Sequence, residues 1–207
     1  GARCPQEQNG QVNYPCLRSS TTVAWVHGVQ EKPLELLSDH AHNELKSAST
    51  AQAWLLKSPG NTRLVLELSK VAAEEMEHFE RVIQLLYGRG GALLPVDNNA
   101  YAEALLSGSA KTRRSPFLDR MIVAALIETR SCERFELLAE HLADEELGRL
   151  YAGLIPSETG HRKLFIDLAC EAFPGAATED RIEELFDLEA EVIGDLPFGY
   201  RMHSGCP

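Results

Sequence analysis

Six residues stand out by type and spacing: Glu44, Glu75, His78, Glu128, Glu158 and His161. The pattern Glu-x-x-His occurs twice, as Glu75–His78 and Glu158–His161, and each copy follows a lone glutamate by about thirty residues. Glu44 to Glu75 is 31 residues and Glu128 to Glu158 is 30, while Glu44 to Glu128 is 84 and Glu75 to Glu158 is 83. The six therefore form a repeat of two halves. On a helix, residues three apart share one face, so a glutamate and a histidine so spaced can grip one ion together. Carboxylate oxygen with imidazole nitrogen is a hard-to-borderline donor set that suits iron or manganese.

Helices must position these groups. Pro33 opens a segment to about Lys57, closed by Ser58-Pro59-Gly60-Asn61. A second runs from about Thr62 to Tyr87 and stops at Gly88-Arg89-Gly90-Gly91. A third begins at Ser115-Pro116 and continues to about Leu142. Asp144 is expected to cap a fourth, with Glu145 and Glu146 on the positive end of its dipole, ending near Phe173-Pro174-Gly175. Thr178 is expected to cap a shorter fifth helix that ends near Ile193, and a short helix is expected at 99–106.

Read in steps of three and four, the first four helices each carry an apolar seam. The seams are Leu34, Leu37, Ala41, Glu44, Ala48, Ala51, Leu55; Leu64, Leu68, Val71, Glu75, His78, Val82, Leu85; Leu118, Met121, Ala125, Glu128, Cys132, Phe135, Ala139, Leu142; and Leu147, Tyr151, Leu154, Glu158, His161, Phe165, Leu168. Each carries groups ionisable at neutral pH only near its middle. A carboxylate taken out of water costs several kcal/mol even after relaxation, and no seam lysine or arginine neutralises these four. The compensating charge must come from outside the chain, and two divalent cations supply it.

Short links join helices one to two and three to four, so each pair forms an antiparallel hairpin. About 26 residues separate the second helix from the third, long enough to run the length of a bundle. The fold class expected is all-α: a ferritin-like four-helix bundle with one long crossover and an additional C-terminal helix. The chain is read as a single domain over 1–207, with its bundle core at about 33–173 and the last helix at about 178–194. The paired Glu and Glu-x-x-His ligands match the known ligand pattern of di-iron bundles of this architecture.

Composition narrows the function classes. The chain has 207 residues and a formal net charge of −11. Residues 1–139 hold 16 acids against 15 bases, whereas residues 140–195 hold 15 acids against 4 bases. A protein that coats RNA through a general basic surface is excluded. No apolar run reaches membrane-spanning length, and the first twenty residues lack the apolar core of a secretory signal. Five scattered cysteines without C-x-x-C argue against a disulfide scaffold or zinc ribbon, and a reduced cytoplasm fits them best.

Other residues carry weaker signals. Asp39, His40 and His42 flank the first seam and are read as solvated or as supporting the ligands, with Asp39-x-x-His42 a further possible pair. Cys132, one turn beyond Glu128, either lines a pocket or is a small core residue. Trp25, Trp54, Phe79, Phe135 and Phe165 are read as core. Lys111, Arg113 and Arg114 form the densest basic run, within a segment 81–120 holding six bases and three acids.

The stretches DHAHNELKSAS, EEMEHFERV, ALIETRSCERFELLAEHL and PSETGHRKLF carry the six residues. They resemble the bacterial tRNA 2-methylthio-N6-isopentenyladenosine hydroxylases, ferritin-like non-haem di-iron monooxygenases. The likeness covers roughly residues 30–195, and the R-S-C-E-R-F stretch after Glu128 points to this branch. It implies a di-iron enzyme with two Fe ions and O2 as co-substrate. The enzyme would hydroxylate the isopentenyl group of a modified adenosine in tRNA, acting through Glu44, Glu75, His78, Glu128, Glu158 and His161. Lys111, Arg113 and Arg114 would contact tRNA phosphates. The chain carries no flavin, nicotinamide or cluster motif, so electrons would come from a separate reductase or ferredoxin. A cytoplasmic monomer or small oligomer with no membrane partner is expected. Iron storage or detoxification, and other di-metal oxidases or peroxidases, are the competing readings.

Overall fold

The computed structural model describes residues 7–8, 11–12, 14–95, 98–111 and 115–207, with side chains from residue 14 onward. Seven helices carry the described chain, preceded by two antiparallel two-residue strands, β1 (Glu7–Gln8) and β2 (Gln11–Val12). The helices are α1 (Val23–Val29), α2 (Pro33–Lys57), α3 (Thr62–Gly88), α4 (Ala100–Lys111), α5 (Pro116–His141), α6 (Glu145–Ala172) and α7 (Ala176–Asp195). No helix among the described residues is long and apolar enough to cross a membrane.

Local chemistry sets the boundaries. The side chains of Asn61, Ser115 and Asp144 accept from the backbone N–H three residues on, at Leu64 (3.1 Å), Leu118 (3.5 Å) and Leu147 (3.0 Å). Each satisfies one of the orphaned donors of a first helical turn. Proline occupies the first turns of α2 and α5, where no N–H is needed. Asn99 caps the connecting helix by accepting from Ala102 N–H at 3.1 Å, and that helix continues to Lys111, five residues beyond the expected end.

The start of α7 corrects an expectation. Its cap is Gly175, at φ 123°, a backbone region that favours glycine. Thr178 lies inside the helix and donates its hydroxyl to the Phe173 carbonyl. A threonine followed by an acidic stretch imitates a cap in sequence, but the Pro-Gly turn three residues earlier has already begun the helix.

The chain divides into two compact units. One contains the described residues within His27–Asp97, with Gly199–Met202, and its helices α2 and α3 pack as a hairpin. Along α2, Leu37, Ala41, Glu44, Ala48 and Ala51 are buried; along α3, Leu64, Leu68, Val71, Glu75, His78 and Val82 are. The seams hold at their centres and slip by one residue at their ends: Trp54 is buried rather than Leu55, and Leu86 rather than Leu85. Leu34, placed in the first seam, is exposed.

The other unit contains the described residues up to Val26, those from Asn98 to Phe198, and His203–Pro207. Helices α5 and α6 form its main hairpin, and α4 and α7 pack with each other and against α5. All seven expected seam residues of α6 are buried. On α5 the buried end residue is Leu138 rather than Ala139.

This second unit also buries three arginines almost completely: Arg130, Arg134 and Arg181. Arg130 donates to both oxygens of Glu189 at 2.9 Å. Arg181 donates to both oxygens of Asp119, at 2.8 and 3.0 Å, and to the Ser109 carbonyl at 2.8 Å. Arg134 donates to the Ser204 carbonyl at 2.6 Å and stacks over Trp25 at 4.4 Å. These pairs satisfy the donors of planar guanidinium groups that would otherwise be costly to bury.

Candidate metal centre

The α2–α3 hairpin brings Glu44, Glu75 and His78 together. Each offers a donor atom within 4.8 Å of the others, and all three are buried. His78 Nδ1 lies 3.5 Å from Glu44 Oε2 and 3.6 Å from Glu75 Oε2. Glu75 and His78 sit one turn apart on α3, and Glu44 meets them from α2, as the spacing predicts.

The α5–α6 hairpin repeats the arrangement. Glu128, Glu158 and His161 are buried and offer donor atoms within 4.8 Å of one another. His161 Nδ1 is 3.5 Å from Glu158 Oε2, almost the separation of the corresponding pair on α3. The most exposed of the six residues, Glu128, is only 6% accessible.

Two carboxylates and one imidazole in each hairpin form a donor set for a divalent transition metal. Of the buried arginines, Arg130 pairs with Glu189 and Arg181 with Asp119. The fit therefore rests on donor type, convergence and burial together.

Apolar side chains surround both trios in sequence. Leu37, Val71, Met121 and Phe165 are each at most 3% exposed. Cys132 is also buried, with Sγ 3.7 Å from Thr159 Oγ1, and burial pushes its thiol up to about 11. Cys16 and Cys206 carry exposed free thiols, whereas Cys170 is disulfide-bonded, an outcome the scattered spacing did not lead one to expect.

Three flanking residues resolve differently from one another. His40 is 1% exposed and its Nε2 is hydrogen-bonded to Glu44 Oε1, so it belongs to the site's surroundings and not to solvent. Asp39 and His42 do not act as a pair. Asp39 accepts from Met202 N–H at 2.8 Å and from Asn43 at 3.1 Å, and His42 Nε2 lies 2.7 Å from the Leu94 carbonyl.

A fourth neighbour, Ser47, escaped the sequence reading. It donates to Glu75 Oε1 at 2.9 Å. Its position three residues after Glu44 is the signal that could have found it. Trp25, Trp54, Phe135 and Phe165 are core, as expected, while Phe79 is half-buried. Lys111 is exposed at the end of α4; Arg113 and Arg114 lie outside the described residues.

Comparison with known proteins places the chain among relatives. The family model described as tRNA-(MS[2]IO[6]A)-hydroxylase (MiaE) matches residues 9–204. A protein of Pseudomonas putida named tRNA 2-(methylsulfanyl)-N(6)-isopentenyladenosine(37) hydroxylase is 37% identical over 187 residues, covering 90% of this chain and 91% of its own length. A Salmonella typhimurium protein of the same name is 28% identical over 166 residues, 80% of this chain and 60% of that protein. A solved structure from Synechococcus, titled as a protein with aldehyde deformylating oxygenase activity, is 35% identical with a TM-score of 0.85, covering 93% of this chain and 97% of that one. The fold is thus all-α and ferritin-like. With a family model spanning nearly the whole chain and a relative above one-third identity, this chain belongs to the tRNA-(MS[2]IO[6]A)-hydroxylase family.

Proposed function

We propose that this protein is an O2-dependent di-iron monooxygenase that hydroxylates the isopentenyl group of 2-methylthio-N6-isopentenyladenosine in tRNA. The observation that carries the reading is the repeated trio, Glu44 with Glu75 and His78, and Glu128 with Glu158 and His161, in a chain matched by the hydroxylase family over residues 9–204. Each trio is read as holding one ion, and the chain as a single ferritin-like domain.

Bound there, two iron ions would supply the O2 chemistry needed to take hydrogen from an unactivated methyl group. The chain's own residues have defined parts. The four carboxylates balance the positive charge of the ions. His78 and His161 each bring a neutral donor one turn from a glutamate. Leu37, Val71, Met121 and Phe165 exclude water, which strengthens the site's electrostatics and limits side reactions. Electrons are assigned to a separate reductase or ferredoxin. A tRNA substrate fits a cytoplasmic protein, and Lys111 with Arg113 and Arg114 are read as phosphate contacts.

Mass spectrometry of tRNA nucleosides tests the reading, after incubation with iron-loaded protein, a reductant and O2. One added oxygen on the isopentenyl nucleoside is expected. Unmodified tRNA would overturn the proposal, and turnover of an aliphatic aldehyde in its place would favour the activity named for the Synechococcus structure. Accumulation of iron far beyond two ions per chain, in a large assembly, would favour storage.

A further inference from the structure

Within the α2–α3 hairpin, the two ligand carboxylates are held in the same way. Glu44 Oε1 is hydrogen-bonded to His40 Nε2, and Glu75 Oε1 accepts from Ser47 Oγ at 2.9 Å. Their other oxygens lie beside His78 Nδ1, at 3.5 Å from Glu44 Oε2 and 3.6 Å from Glu75 Oε2. One oxygen of each carboxylate is thus tied back to α2, and the other faces the imidazole.

We infer that His40 and Ser47 are positioning residues that orient Glu44 and Glu75 toward the ion gripped by His78. The inference rests on the reading of Glu44, Glu75 and His78 as metal ligands. Helix geometry makes the device possible. His40 is one turn before Glu44 on α2, so its ring reaches the carboxylate from behind on the same helix face. Ser47 is nearly one turn after Glu44, and its short side chain reaches across to α3. His40 is not among the described side chains that converge as possible ligands, and Ser47 carries a neutral hydroxyl, a weak donor beside two carboxylates. Both act on the ion through the oxygen they restrain.

A carboxylate torsion is soft, so an unrestrained glutamate samples several orientations and loses freedom when it binds an ion. Fixing one oxygen beforehand removes part of that cost. Outer partners of metal ligands typically contribute about 10- to 100-fold in affinity.

Titration with Co(II), followed by its visible absorption on the full-length protein, tests this with a readout independent of turnover. Ser47→Ala should weaken one of the two bound ions by about 10- to 100-fold and alter the band pattern. Ser47→Thr should restore both, because it keeps the hydroxyl. His40→Gln, which keeps a donor, should bind closer to wild type than His40→Leu. Far-ultraviolet circular dichroism on each variant confirms the helices.

Glu75→Ala separates loss of a ligand from loss of its positioning. If it leaves Co(II) binding unchanged, the ligand assignment fails and the positioning role with it. If Glu75→Ala abolishes one site while Ser47→Ala matches wild type in affinity and spectrum, the positioning role alone is refuted.

Discussion

The imidazole of His203 lies flat against the phenol ring of Tyr101, with centroids 4.9 Å apart and ring planes 8° from parallel. Ser131 Oγ is 3.0 Å from His203 Nε2, and the Tyr101 hydroxyl donates to Glu189 at 2.8 Å. Trp25 Nε1 donates to Ser204 at 3.1 Å. Residues His203–Gly205 are therefore built into the core around α4, α5 and α7. Gly205 fixes that return: its N–H donates to the Pro197 carbonyl at 3.0 Å, and an added Cβ would stand 1.8 Å from the Leu196 carbonyl oxygen. Gly205→Ala should cost about 1–3 kcal/mol or more by overpacking. Loss of tail packing should redshift Trp25 fluorescence, and thermal melting with emission spectra checks both outcomes.

Arg181 and Asp119 form a buried bidentate pair, 0% and 3% exposed. Arg181→Met leaves Asp119 buried without its counter-charge and should destabilise the protein by about 3–5 kcal/mol. Arg181→Met with Asp119→Leu should recover much of that loss, since an apolar pair of similar volume removes the desolvation penalty. Urea unfolding of the single and double variants measures the difference.

Metal binding should be visible as stability. Each ferrous or manganous ion at 100 times its dissociation constant should add about 2.7 kcal/mol, and a chelator should remove it. For a chain of this length that corresponds to a rise of roughly 5–10 °C in melting temperature. Glu158→Gln should abolish most of the gain while leaving the metal-free protein at least as stable, because one buried carboxylate charge is gone. Calorimetry with and without chelator reads both effects.

Cys132 should be the slow thiol. Burial pushes its pKa up to about 11, so at pH 8 it is overwhelmingly protonated, and the thiolate is the reactive form. Cys16 and Cys206 are exposed and free. An alkylating reagent at pH 8 should label those two first. Labelling of Cys132 should rise about tenfold per pH unit toward pH 11, as peptide mass spectrometry of timed samples would show.

The candidate ligands are legible in the sequence because a buried charge interrupts an apolar seam sharply. Glu44, Glu75, Glu128 and Glu158 each break such a run, and the helix caps at Asn61, Ser115 and Asp144 are equally local signals. The buried arginines were illegible for the opposite reason. Arg130 meets Glu189 across 59 residues and Arg181 meets Asp119 across 62, so nothing near either marks it as interior. The same holds for the tail, whose partners Trp25 and Tyr101 lie more than 100 residues away. Seam ends slipped because steps of three and four only approximate 3.6 residues per turn, and the error grows away from the centre. His40 and Ser47 were visible as residues, but their roles depend on which carboxylate oxygen each reaches.

In the proposed reaction, oxygen from O2 enters the modified adenosine at a di-iron site. Its most direct test is turnover under isotopically heavy dioxygen in ordinary water, with iron-loaded protein, a reductant and tRNA bearing the isopentenyl nucleoside. One heavy oxygen atom is expected in the hydroxylated nucleoside, and no product from Glu75→Ala or Glu158→Ala. Product whose oxygen comes from water, or undiminished product from those two variants, would contradict it.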